Sequence, residues 1–183
     1  MKAGVRALGI AESYRDTTSH LAGVVVRASR VVDGFVFDTC TVGGSDATTV
    51  VRAMVDRLDR EDVRYLLLSG IAPAWFNVLD LHRIHDETDL PVVSVTFEAS
   101  PGLESAIQEA FDDSDTVADR LSTYRAQPER HPVTVNDETV YVRAVGLPDA
   151  EAADVVRAFT PEGGRPEPLR VARLAARGLV DAD

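Results

Sequence analysis

Several groups of side chains in this 183-residue sequence could carry chemistry. Arg170, Arg173 and Arg177 recur at spacings of three and four near the C-terminus, which places all three on one helical face, and Arg165 stands just before them. On an acidic chain such a stripe is a candidate phosphate site; a set of surface ion pairs is the simpler reading. Trp75, Phe76 and Asn77 could stack on or cradle a base, although core packing suits Phe76 better. His82, His85, Asp86 and Asp89 have helix-compatible spacing for a metal patch, with His82 and Asp86 on one face. No third ligand of fixed geometry accompanies them, so an ordinary polar helix face is the better reading. Cys40 is alone, which rules out an intrachain disulfide and a cysteine-rich metal motif.

Charge narrows the setting. Thirty acids face 19 cations, giving a net charge of -11, and Lys2 is the one lysine. A dense carboxylate surface of this kind suits a salt-rich cytoplasm, that of a halophilic cell, where screening contracts to about 3 Å at 1 M salt. The same screening means that the negative charge does not exclude nucleic acid as a partner. No secretory h-region is visible, and no run approaches the roughly 18 apolar residues of a membrane helix, so a cytoplasmic protein without a membrane partner is expected. A chain of this length can bury roughly 70% of its unfolded surface as one domain, and residues 1–183 are read as one unit.

The elements that must position these groups follow from periodicity. Val5 to Ile10, Leu21 to Ala28 and Val31 to Val42 are rich in Val and Phe and divided by turn residues, which predicts three antiparallel strands. After Gly43 and Gly44 the period becomes helical through Val51, Met54, Val55 and Leu58, with Ser45 or Asp46 as the N-cap. Val63 to Leu68 and Pro91 to Phe97 read as strands buried on both faces, separated by a helix over Pro73 to Thr88. Two helices broken near Asp112 to Asp115 fill Glu98 to Arg125, and Val133 to Val142 forms a hairpin around Asn136 and Asp137. Helices over Pro148 to Phe159 and Pro168 to Arg177 complete the chain, the last burying Val171, Leu174 and Ala175. Three antiparallel strands followed by parallel strands alternating with helices is the order of an α/β, ribonuclease H-like mixed sheet.

Five strings carry a family resemblance: Leu8-Gly9-Ile10-Ala11-Glu12, Gly44-Ser45-Asp46-Ala47-Thr48, the stretch from Ser69-Gly70-Ile71 through Trp75-Phe76-Asn77-Val78 to Asp80, Leu90-Pro91-Val92-Val93, and Pro166-Glu167-Pro168-Leu169-Arg170-Val171-Ala172. Together they resemble the archaeal endonuclease V-like family, also called the deoxyuridine endonuclease family, over nearly the whole chain. The resemblance implies a ribonuclease H-like fold and a DNA-repair hydrolase acting on nucleic acid, DNA in preference to RNA, at deaminated bases such as deoxyuridine or inosine. It also implies Mg²⁺ or Mn²⁺ held by carboxylates.

The chain departs from the family pattern where that chemistry lies. An aspartate of the pattern is replaced by Ala11, followed by Glu12; Asp-Gly-Ile becomes Ser69-Gly70-Ile71; and the histidine or acid after Leu-Arg-Val-Ala becomes Arg173. The matching acidic position at the first helix is Asp46. The resemblance therefore assigns Asp46 and Glu12 as catalytic and metal residues, Glu12 doing so only if the strand bends, since adjacent strand residues face opposite ways. It assigns Ser69, Trp75, Asn77, Arg165, Arg170 and Arg173 to nucleic acid. The alternative is a catalytically inactive binding or scaffold protein in which Arg173 replaces the metal charge beside Asp46, and this alternative predicts an Arg173–Asp46 contact. An unrelated small-molecule enzyme would instead need a deep apolar pocket.

Overall fold

The computed structural model describes residues 1–183. Strands β1 (Arg6–Arg15), β2 (Thr18–Arg27) and β3 (Val32–Thr41) form an antiparallel meander. Helix α1 (Ala47–Leu58) then leads to β4 (Val63–Ser69), which pairs parallel to β1. A single turn, α2 (Pro73–Phe76), and helix α3 (Leu81–Thr88) connect β4 to its parallel neighbour β5 (Val92–Thr96). Helices α4 (Glu104–Ala110) and α5 (Ser114–Arg125) follow, then the hairpin β6 (His131–Val135) and β7 (Glu138–Val145), then α6 (Asp149–Ala158) and α7 (Glu167–Ala182). The seven strands run in the order β3-β2-β1-β4-β5-β7-β6. This is the mixed sheet that the element order predicts, with a hairpin added antiparallel to β5.

Alternation along the strands builds a core on each face. Leu8, Ile10, Leu66 and Leu68 point to the side covered by α1 and α3, where Met54 and Ile84 meet them. Ala7, Leu67, Val93 and Val95 point to the other side, beneath Val156 and Phe159 of α6 and Leu169 of α7. The runs in β4 and β5 are apolar without interruption because both of their faces are covered. Asp113 caps α5 by accepting from the Thr116 amide at 2.8 Å, so the acidic break near Asp112 is a turn and a cap.

Three elements differ from the periodicity. Strand β1 does not stop at Ile10: its antiparallel partner β2 carries it to Arg15, well beyond the Ile10–Leu68 pair where parallel pairing to β4 ends. The helix expected over Pro73 to Thr88 is broken, with Ala74, Trp75 and Phe76 in the left-handed region at φ 50°, 57° and 57°, and a new start at Leu81 capped by Asp80. Helix α7 reaches Ala182 and buries Pro168, Leu169, Ala172, Ala176 and Val180, rotated from the expected face; Leu174 is exposed.

Helix α7 crosses β1 at Gly9. A Cβ there would lie 2.4 Å from Pro168 Cβ and 2.5 Å from its carbonyl carbon, so only glycine lets helix and strand meet. We expect Gly9→Ala to lower stability by about 1–3 kcal/mol through overpacking, read as a lower urea midpoint with an unchanged slope. A midpoint equal to that of the native chain would show that this crossing is not tight.

Candidate functional site

Because β1 outruns its parallel partner, a cleft of about 460 Å³ opens over the C-terminal ends of β4 and β5. Crevices at the carboxyl ends of parallel strands are the usual binding place in α/β sheets. Ala11 and Ser69 form its floor, and Phe97 and Tyr124 stand in its walls. Four arginines line it: Arg130, Arg143, Arg165 and Arg173.

Each of these cations is positioned without a carboxylate. Arg130 donates to the carbonyls of Glu98 at 3.1 Å and Ser100 at 2.6 Å, with its guanidinium 4.6 Å from the Tyr141 ring centre. Arg143, from β7, is 8% exposed and donates from Nε to the Pro128 carbonyl at 3.1 Å and from Nη2 to Tyr124 Oη at 3.3 Å. Arg165 lies 3.8 Å over the Phe97 ring. Burial, and then repulsion from Arg173, draw its pKa below the usual arginine value, which places the two cations close together while leaving both charged. Arg173 is exposed and forms no ion pair, in contrast to most arginines outside the cleft, such as Arg6, Arg27 and Arg60, all of which converge on Asp33. Glu98 and Glu12 are the acids at the cleft's edge.

The residues singled out from sequence separate into two groups. Ser69, Arg165 and Arg173 meet at the cleft. Glu12 reaches only its rim, because β1 does not bend: Glu12 faces the α1 side with Leu8 and Ile10, and its Oε2 accepts from Ser19 Oγ at 2.6 Å. Arg170 is held by Glu167 at 2.6 and 2.8 Å and does not line the cleft. Trp75 is half exposed, packs edge-on against Phe76 and stands beside Gly43, away from the cleft. The histidines hold backbone: His82 Nε2 lies 3.1 Å from the Ala126 carbonyl, and His85 Nδ1 lies 2.7 Å from that of Leu90.

Asp46 and Asn77 form a structural network on the α1 side. Asp46 occupies the N-cap position of α1 but does not cap it; the Ala47 amide is bound instead by Asn77 Oδ1 at 3.0 Å. Asn77 Nδ2 donates to Asp46 Oδ1 at 2.7 Å and to the Thr41 carbonyl at 2.9 Å. The Thr41 amide and hydroxyl complete the shell, at 3.1 Å to Oδ1 and 2.9 Å to Oδ2. Asn77 is fully buried, so it has no surface to offer a ligand. The left-handed turn at Ala74 to Phe76 is what brings it back towards β3. Arg173 is absent from this shell, and the Arg173–Asp46 ion pair required by the scaffold reading does not form.

A divalent ion fits this donor set poorly. Mg²⁺ needs hard oxygens with free lone pairs on one side of an octahedron. Asp46 spends both oxygens on Thr41 and Asn77, Glu12 spends one on Ser19, and no group of three acidic, histidine or cysteine side chains converges anywhere in the chain. Where the family pattern holds an aspartate, Ala11 packs with Ala172, Val24 and Val26 in an apolar seam beneath α7. The alanine also lines the cleft, so that position supplies no carboxylate to it.

The residues that sequence reasoning missed are Arg130, Arg143 and Tyr124. Arg143 follows Thr139 and Tyr141 in the polar phase of the alternation with Val140, Val142 and Ala144, so it reads as an ordinary outward cation; Arg130 and Tyr124 reach the cleft through tertiary packing that no local pattern encodes.

Comparisons with known proteins agree with this frame. The endonuclease dU family pattern matches residues 3–180. A UPF0215 protein from Thermococcus kodakarensis is 33% identical over 192 residues, covering 100% of this chain and 96% of the relative. The crystal structure of a protein of unknown function from Archaeoglobus fulgidus superposes with a TM-score of 0.85 at 30% identity, over 95% of this chain and 97% of that one. Endonuclease V from Ciona intestinalis, in complex with DNA containing an inosine, superposes with a TM-score of 0.64 at 12% identity, over 97% and 86% of the two chains. The fold is thus the ribonuclease H-like mixed sheet of endonuclease V.

Removing the Asn77 side chain strands the Ala47 amide and Asp46 together, so Asn77→Ala should cost about 2–4 kcal/mol in denaturant unfolding. Burial pushes the Asp46 carboxyl up, but hydrogen bonds from Asn77 and Thr41 outweigh it and hold its pKa below the ordinary aspartate value. A depressed folded-state pKa contributes stability above the unfolded value, near pH 4, that is lost as pH falls through the folded one. Asp46→Asn should therefore flatten the acid limb of the stability profile below about pH 4, and an identical limb would show that the network does not hold the ionised form.

Proposed function

Since the chain belongs to the endonuclease dU family, we propose that it binds nucleic acid strands by their phosphates, in the cleft bordered by Ser69, Arg165 and Arg173. The observation that carries this reading is a local excess of positive charge on a chain of net charge -11: the cleft's four arginines have no carboxylate partner. Guanidinium groups fixed by stacking and backbone carbonyls present their remaining donors to an anion without first breaking an ion pair. Ser69 adds a hydroxyl on the floor. The DNA bound by the Ciona intestinalis neighbour, with an inosine followed by a ribo-adenosine, supports nucleic acid as the partner class.

In this reading the positive charge at the cleft comes from side chains. Arg165 and Arg173 would neutralise and orient a phosphodiester, and α7, seated on Gly9, keeps them over the strand ends. The donor geometry favours binding without cleavage. Family membership favours a second reading, hydrolysis of a phosphodiester beside deoxyuridine or inosine, in which Glu12 and Asp46 would have to leave their present hydrogen bonds.

One experiment separates the two. Uracil- and inosine-containing strands are incubated with the protein in concentrated KCl, with Mg²⁺, Mn²⁺ or chelator. We expect retention of intact strands that is insensitive to chelator; nicking that chelator abolishes would establish the hydrolytic reading instead. Arg173→Ala and Arg165→Ala should each weaken binding and reduce the slope of log K against log salt by about 0.7 for each phosphate that the variant no longer neutralises. An unchanged slope would remove these residues from the interface.

A further inference from the structure

The arginines are not evenly distributed along the cleft. Arg173, exposed, and Arg165, part-buried on Phe97, come from the α7 side, whereas Arg130 and Arg143 sit beside Tyr124. Arg143 is more than nine-tenths buried, and its Nη1 donates to no protein atom. Tyr124 Oη accepts from Arg143 Nη2 at 3.3 Å and from the Leu103 amide at 3.1 Å, which leaves its own proton free to be donated. Arg130 stands close enough to repel the Arg143 charge. A buried guanidinium without a counter-charge is costly, and a second cation beside it raises that cost.

The surface beyond this point changes sign. A second concavity of about 420 Å³ shares Gly102, Tyr124, Arg130 and Arg143 with the cleft, and its far side carries Glu104 and Glu129. Glu104 is neutralised by Arg125 at 3.0 Å, while Glu129 has no ion-pair partner. An anionic chain entering past Arg173 and Arg165 thus finds favourable charge as far as Arg143 and Arg130, and beyond them only the neutral Arg125–Glu104 pair and the unpaired Glu129. Two convergent cations are neutralised by a phosphate monoester, which carries about -1.5 to -2 charges at pH 7, better than by an internal diester with one.

From this arrangement we propose that Arg143, Arg130 and the Tyr124 hydroxyl form a subsite for a terminal phosphate monoester, so that the cleft receives the phosphate-bearing end of a strand. The proposal rests on the nucleic-acid reading above and adds polarity to it: the strand ends at Arg143 and runs out past Arg165 and Arg173.

The test uses the full chain and three internally labelled strands of one sequence, bearing a 5′-phosphate, a 3′-phosphate or hydroxyls at both ends, with affinity read by fluorescence anisotropy. We expect one phosphate-ended strand to bind about ten-fold tighter than the hydroxyl-ended strand, and its identity gives the polarity. That ratio should fall towards one in Arg143→Gln and decrease in Tyr124→Phe, which removes the hydroxyl, with the hydrogen bonds it accepts from Arg143 and the Leu103 amide, and keeps the ring under the guanidinium. Equal affinity for all three strands overturns the subsite while leaving the nucleic-acid reading intact. If no strand binds, that reading fails, and ³¹P line broadening of inorganic phosphate then decides the subsite: broadening with the native chain that Arg143→Gln or Tyr124→Phe reduces supports it, and no broadening overturns it.

Discussion

The contact of Pro168 with the bare Cα of Gly9 governs the rest of the molecule. It sets how closely α7 lies on β1, and through Leu169, Ala172 and Ala176 it sets the rotation of that helix. The rotation decides which arginines of the C-terminal stripe look into the cleft. Arg173 and the preceding Arg165 do, whereas Arg170 is turned outward to Glu167. The same closeness extends to Ala11. Two residues along the strand from Gly9 and on the same face, it packs against Ala172 at the edge of the cleft.

A second constraint operates on the other face. The loop after β3 turns into α1 with the aid of Asp46, Thr41 and Asn77, and Arg120 braces it by donating to the Gly43 and Gly44 carbonyls at 2.5 and 2.8 Å. Three successive non-glycine residues with positive φ are unfavourable, at roughly 1–2 kcal/mol each. The buried hydrogen bonds of Asn77 offset that strain. An acid in such a setting is a hinge pin of the loop, and the nearby Cys40 thiol registers its charge: burial first, then Asp46 and Glu12, push the thiol pKa up to about 12.

The sheet is legible in the sequence because its information is local. Val and Phe runs, turn pairs and the doubly apolar β4 and β5 identify the strands, and connection rules then order them. Legibility ends where distant segments meet. Pro73 to Thr88 has helical periodicity throughout, and only Asn77's distant partners reveal why it breaks. The apolar run of the first strand ends at Ile10 although the turn residues that end β1 lie further on, at Asp16 and Thr17, beyond a polar stretch that only β2 keeps extended. At Asp46 the residue type suits a cap and a ligand equally, and the partner that uses it instead is 31 positions away. Arg130 and Arg143 belong to no motif. They become a site only when α5, β5 and β7 assemble around them.

Three of the cleft's cations rest on aromatic rings: Arg130 on Tyr141, Arg143 on Tyr124 and Arg165 on Phe97. Contacts with a ring face depend on quadrupole and dispersion forces at short range, which mobile ions screen far less than they screen a surface carboxylate pair. An arginine aimed by a carboxylate loses its bearing as ionic strength rises, and it surrenders part of its charge to its partner when ionic strength falls. One aimed by a ring does neither. The cleft therefore keeps both its shape and its full valence across a wide range of ionic conditions, so that what changes with salt is the reach of its field and not the position of its donors.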